Sequence, residues 1–189
     1  MIQIEPVTYI WLAAVLLMLP IDWVVSVLAA ALVHELCHIC TLLILGGKIR
    51  SIRISGSGCV IASTFPGYLQ SLCSILAGPA GSMAMLLFCR KMPQLAVCGF
   101  FHGAYNLLPL LPLDGGNACL LILRRVCPLK AERILLWTGR FVCIVILTGI
   151  ARCVYAHKLG SIPGVLFVFW IIKLFPRKIP CKPSEIGVQ

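Results

Sequence analysis

Residues 23–46 read WVVSVLAAALVHELCHICTLLILG. The stretch holds one carboxylate, Glu35, and no Lys or Arg. A helix of that length reaches roughly 36 Å at ~1.5 Å per residue, enough to cross the ~30 Å hydrocarbon core of a bilayer. It is bounded before by Pro20-Ile21-Asp22, a tight turn after an earlier apolar run, and after by Gly46-Gly47 and the basic cluster Lys48, Arg50 and Arg53. Trp23 serves as an interfacial anchor. The reading is a membrane-crossing helix that carries two histidines and a glutamate at membrane depth.

Composition extends this to the whole chain. Of 189 residues, 60% are hydrophobic and only 12% are charged, and the mean hydropathy is +1.02. A soluble domain carries roughly 25% charged residues, so the composition argues against that class. Disorder is excluded more firmly, because disordered chains are poor in apolar residues. Apolar runs fall at 7–19, 23–46, 67–89, 94–113, 134–156 and 160–175. They predict an all-α polytopic membrane protein of about six transmembrane helices, the first run being short for a full span. Residues 1–175 form one transmembrane domain and 176–189 a short polar tail. Within 48–63, Ser51 to Ser55 alternate polar and apolar, followed by Gly56-Ser57-Gly58. That pattern is either a small β-hairpin at the membrane surface after the second helix or an ordinary basic loop.

The net charge of +10 arises from few acids, six against sixteen Lys and Arg. With six crossings and both termini on one side, that side holds eleven of the sixteen: positions 48, 50, 53, 124, 125, 130, 133, 173, 177, 178 and 182. The positive-inside rule makes it the cytoplasmic side. The charge is therefore topological and gives no reason to expect nucleic acid. The eleven cysteines read as packing residues rather than a disulfide framework. No Lys or Arg precedes the first apolar run, so the start does not read as a signal peptide.

Of the six acids (Glu5, Asp22, Glu35, Asp114, Glu132 and Glu185) only Glu35 and Asp114 lie in or beside long apolar runs. A charge at membrane depth costs at least ~2.5 kcal/mol and is functional by default. Residues His34-Glu35-Leu36-Cys37-His38 match H-E-x-x-H. On a helix, i and i+4 lie one turn apart on one face, so both imidazoles can bind one metal ion. Glu35 points about 100° away and can reach a metal-bound water without being a ligand. The competing reading is a pair of packing histidines with Glu35 hydrogen-bonded to a neighbour.

A second motif, Asn106-Leu-Leu-Pro109-Leu-Leu-Pro112-Leu113-Asp114-Gly115-Gly116, ends the fourth run. Each proline breaks or kinks a helix, and irregular backbone at this depth must line protein or a water cavity. Gly115-Gly116 permits backbone conformations closed to other residues. Asp114 there completes a His, His, Asp set with an open fourth position, the arrangement of catalytic zinc; alternatively it is a helix N-cap. Asn106 is a substrate-side group or a plain interhelical hydrogen-bond partner. His102, one turn before Asn106, either orients a ligand or helps bind substrate, or is a satisfied interior histidine.

Together, H-E-x-x-H in an early transmembrane helix and N-x-x-P-x-x-P-L-D-G-G ending a later one resemble the site-2 protease family of intramembrane zinc metalloproteases. The compact size resembles its bacterial subgroup that includes the sporulation protease acting on a membrane-bound pro-sigma factor. The resemblance rests on motifs over residues 22–120 and on hydropathy elsewhere. It implies one zinc ion held by His34, His38 and Asp114, Glu35 as general base, and Asn106 on the substrate or oxyanion side. It also implies a β element after the H-E-x-x-H helix, and a substrate that is itself a transmembrane protein. Ala77-Gly78-Pro79-Ala80-Gly81 resembles the family's Gly-Pro element, where small residues allow close packing. Two positions depart from the family pattern: Leu42 stands where a small residue is common, and Ser82 where an Asn commonly follows. No PDZ insertion or regulatory domain is expected in this length. The alternatives are a non-catalytic zinc-binding membrane protein, a pseudoprotease, or a zinc transporter. Glu35 argues against the pseudoprotease, and the scarcity of further polar groups along the spans argues against a transporter.

Overall fold

The computed structural model describes residues 2–4, 16–17, 19–55, 58–64 and 67–156, with side chains placed at 16–17, 19–49 and 67–156. The expected first and sixth spans, 7–19 and 160–175, and the tail lie wholly or mostly outside these residues.

The described chain is mostly helical. In order it runs β1 (Ile2–Ile4), α1 (Ile21–Ile44), β2 (Lys48–Ser55), β3 (Gly58–Thr64), α2 (Tyr68–Ala84), a 3-10 turn (Met85–Phe88), α3 (Pro93–Asn106), α4 (Asp114–Val126) and α5 (Ala131–Ala156). The strands form one sheet in the order β1-β2-β3. β2 and β3 pair antiparallel, with a register shift between Ile49 and Ser51, and β1 runs parallel to β2.

Three helical stretches among the described residues are long and apolar enough to cross a membrane: Ile21–Ile44, Tyr68–Phe88 and Ala131–Ala156. Their most apolar windows are only 22%, 39% and 17% buried inside the protein. Soluble monomers rarely expose contiguous apolar patches beyond a few hundred Å², so these faces suit lipid.

α1 begins directly after Pro20 and ends in a glycine stop. Gly46 adopts φ +79°, and the Gly47 amide donates to Leu42 O at 2.8 Å. This left-handed closure satisfies carbonyls at the helix end.

The 94–113 run is not one helix. α3 ends at Asn106, and residues 107–113 are irregular. Pro109 lacks an amide donor and disfavours helical geometry at Leu108 before it. Apart from exposed Leu107, the irregular stretch is buried or half-buried in protein, as irregular backbone at membrane depth requires. Leu110 and Leu113 are buried against Cys143 of α5, with Tyr105, Leu108, Val142 and Leu147 around them.

Small residues set the helix spacing. A Cβ on Gly99 would lie 2.7 Å from Ser82 O, and one on Gly103 would lie 3.0 Å from Pro79 O. α3 thus meets α2 backbone to backbone through a G-x-x-x-G pair, a close approach used between membrane helices. α4 packs on α2 through Ala118 and Ile75, and on α5 through Leu120, Ala131 and Leu135. An Arg124–Glu132 ion pair at 3.1 Å also joins α4 and α5.

Candidate metal centre

α1 and α2 run antiparallel, and α1 turns His34 and His38 toward α2 and α4. Both histidines are 1% exposed. Asp114, the first residue of α4, is 0% exposed. A carboxylate at a helix N-terminus is favoured by the helix dipole, but the N-cap position itself is held by Leu113, and Asp114 is the first residue inside the helix. It points instead at the histidines, so the N-cap alternative does not hold.

Gly115 and Gly116 make that position possible through space rather than backbone conformation. Among the described residues only Gly46 has a positive-φ glycine backbone. A Cβ on Gly115 would overlap Leu107 O, and one on Gly116 would overlap the Leu110 carbonyl. α4 therefore starts pressed against the irregular stretch, which carries Asp114 inward.

Three atoms converge. His34 Nε2 lies 2.9 Å from Asp114 Oδ2, His38 Nε2 lies 3.1 Å from the same oxygen, and the two Nε2 atoms are 3.1 Å apart. The other ring nitrogens are engaged on α2. His38 Nδ1 donates to Ser74 O at 2.7 Å; a carbonyl only accepts, so this nitrogen carries the proton. Neutral His38 then presents a lone pair at Nε2. His34 Nδ1 sits 2.9 Å from Ser82 Oγ. Ser74 Oγ also donates to His38 O at 3.3 Å.

This donor set fits a metal ion. With His38 neutral, its Nε2 lone pair and a carboxylate oxygen repel unless a metal ion or a second proton stands between them. The second buried carboxylate oxygen, Asp114 Oδ1, has no hydrogen-bond partner, and such an atom costs about 1–3 kcal/mol if left unsatisfied. Tetrahedral zinc with bonds of ~2.0–2.1 Å places neighbouring ligand atoms about 3.3 Å apart, so the triangle need open by only a few tenths of an ångström. Two imidazoles and a carboxylate are a usual zinc set, and a donor contact from the far ring nitrogen is what orients ligating histidines.

Glu35 is in the same turn as His34 and partly buried. The His102 ring packs edge-on against that of His34, with centroids 4.7 Å apart. Asn106 is 8% exposed, and its amide donates to His102 O at 3.1 Å, within its own helix. Cys37 and Cys40 bracket His38 in C-x-x-C spacing, yet both are free thiols outside the cluster. Cys40 is exposed, and Cys37 Sγ lies where a Cβ on Gly81 would fall.

Ser74 and Ser82 have no expected role from sequence as histidine partners. The signal for them is their spacing with Gly78: i, i+4 and i+8 on one helix face, matching the one-turn step between the histidines.

A family model described as Peptidase M50B-like matches residues 7–103, a range that includes His34, Glu35 and His38 and stops before Asn106 and Asp114. No curated protein matches. Among solved structures, the site-2 protease from Methanocaldococcus jannaschii matches with a TM-score of 0.65 and 20% identity, over 96% of this chain and 93% of that one. At that identity the likeness is one of fold.

Proposed function

This chain belongs to the Peptidase M50B-like family, in keeping with its resemblance to the site-2 proteases, and from that premise we propose that it is a zinc-dependent intramembrane endopeptidase. Its substrate is a membrane-bound protein cut in or near a transmembrane segment. The observation that carries this reading is the buried meeting of His34, His38 and Asp114, whose ligand atoms all lie within 4.8 Å of one another.

One zinc ion held by these three residues would polarise the scissile carbonyl and acidify a water at its open position. Glu35 takes the proton from the attacking water and passes it to the leaving amine. One α-helical residue from His34, it approaches the site without occupying a ligand position. Asn106 and His102 line the same side from α3. In this proposal the Asn106 amide turns from His102 O toward the substrate carbonyl as the oxyanion develops. A transmembrane substrate hides its carbonyls in helical hydrogen bonds and must unwind locally. The β2–β3 pair lies at the membrane surface and receives the unwound segment by strand addition. β1 already covers one edge of β2, and among the described residues no strand pairs with the outer edge of β3, the edge assigned to that role here.

The proposal includes about six spans, both termini in the cytoplasm, and a site opening toward that side of a bacterial cell membrane. Asp114 precedes the basic positions 124 and 125 by about three turns, and water enters from there. A role in regulated intramembrane proteolysis, such as release of a pro-sigma or anti-sigma factor during sporulation, follows from the subgroup the sequence resembles. The proposal includes regulatory membrane partners.

The test is co-expression with candidate single-span substrates, comparing wild type with Glu35→Gln. The expected result is zinc retained in the variant and cleavage lost. Equal cleavage by both proteins rules out Glu35 as the base. Absence of zinc from the wild-type protein rules out the metal centre.

A further inference from the structure

α2 carries more than packing residues on the face toward α1. Ser74, Gly78 and Ser82 recur at every fourth position, and His38 and His34 face them in antiparallel order. Ser74 receives the His38 Nδ1 proton on its carbonyl. Gly78 leaves room for the His38 ring. Ser82, 0% exposed, places its hydroxyl 2.9 Å from His34 Nδ1.

The two histidines are held differently. The His38 tautomer is fixed by a backbone carbonyl, which no substitution of Ser74 removes. The His34 tautomer depends on a side chain. If the Ser82 hydroxyl accepts, Nδ1 holds the proton and Nε2 offers a lone pair beside Asp114. If His34 held its proton on Nε2, that proton would point at Asp114 Oδ2 and block coordination. An imidazole that has no acceptor for Nδ1–H is free to take the second form, because a carboxylate 2.9 Å away is a strong acceptor.

We propose that Ser82 is the positioning residue for the metal centre: its hydroxyl accepts the His34 Nδ1 proton and thereby holds Nε2 in the ligating form. This rests on the zinc-protease reading above. It gives a chemical role to a position that otherwise reads as a departure from the family pattern. Ser82 touches neither metal nor substrate and acts through His34 alone.

The experiment measures zinc affinity by chelator competition on the purified full chain in detergent, with helical content checked by circular dichroism. Ser82→Ala and Ser82→Cys remove a good acceptor, the first at nearly constant volume and the second with the same number of side-chain heavy atoms. Both should bind zinc about 10–100-fold more weakly than wild type, the loss typical when a ligand's orienting partner is removed. Ser82→Thr keeps the hydroxyl and should stay within about threefold of wild type. A Ser82→Cys protein that binds zinc as tightly as wild type overturns the proposal, as does a Ser82→Thr protein as weak as Ser82→Ala. A wild-type chain that binds no zinc instead removes the metal-centre reading on which the proposal stands, so the two failures are distinct.

Discussion

Gly78 on α2 stands so close to the His38 imidazole that a Cβ there would overlap three ring atoms. The position therefore controls whether His38 can turn Nε2 toward Asp114. Gly78→Ala should lower zinc affinity at least tenfold and abolish cleavage. Ala is favoured over Gly by ~0.8–1.0 kcal/mol in a helix, so α2 itself should not suffer. The check is zinc content together with helical content. A Gly78→Ala protein that loads zinc normally would mean that the helices stand further apart than described.

Metal should add stability in proportion to its binding. Asp114 Oδ1 has no hydrogen-bond partner, and two imidazoles crowd Oδ2, so the cluster without a cation is a weak point. Zinc at a hundred times its Kd should raise unfolding free energy by ~2.7 kcal/mol. Thermal melts in detergent with zinc and with chelator should differ accordingly for wild type. Asp114→Asn keeps the volume and loses the charge, and its melting temperature should be insensitive to zinc. An equal zinc shift in both proteins would remove Asp114 from the ligand set.

Much of this site is legible from residue spacing. His34 and His38 form a pair on any helix, and Asp114 stands out as a carboxylate beside an apolar run. Their convergence is not legible, because it depends on where 107–113 leaves the helix and how tightly α4 returns. The glycines show the difference. Gly115-Gly116 reads as a need for unusual backbone angles, whereas the structure uses them for space against Leu107 and Leu110. Proline positions announce a break near Pro109 but not that α3 stops at Asn106. The roles of Ser74 and Ser82 depend on which face of α2 meets α1, a tertiary fact that local sequence does not encode.

The α2–α3 contact should respond in graded fashion. Gly99→Ala brings a Cβ to 2.7 Å from Ser82 O, a backbone atom that cannot swing aside. Gly103→Ala brings one to 3.0–3.2 Å from Pro79 O, Ser82 Cβ and Met83 Cγ, which a small shift relieves. Overpacking costs typically 1–3 kcal/mol, with Gly99→Ala toward the upper end and Gly103→Ala at or below the lower. Gly149→Ala meets nothing within 4 Å and should be neutral or stabilising by roughly 0.5–1 kcal/mol. Unfolding titrations in detergent that rank the three otherwise would contradict the packing described.

Two glycines constrained for different reasons should fail differently. Gly46 has φ +79° and open space around it. Gly46→Ala is therefore a backbone penalty alone, about 1–2 kcal/mol, paid at the end of α1 two turns beyond His38. Zinc affinity should be unchanged. Gly115 has no such angle but is pressed on Leu107 and Leu108 carbonyls. Gly115→Ala must push α4 outward and move the adjacent Asp114 with it. Zinc affinity should fall at least tenfold, since ligand atoms now 2.9–3.1 Å apart tolerate little displacement. Measuring stability and zinc affinity on both variants separates the causes. A Gly115→Ala protein that keeps zinc would show that Asp114 is not held in place by the close return of α4, and a Gly46→Ala protein that loses it would show that the end of α1 is coupled to the metal centre.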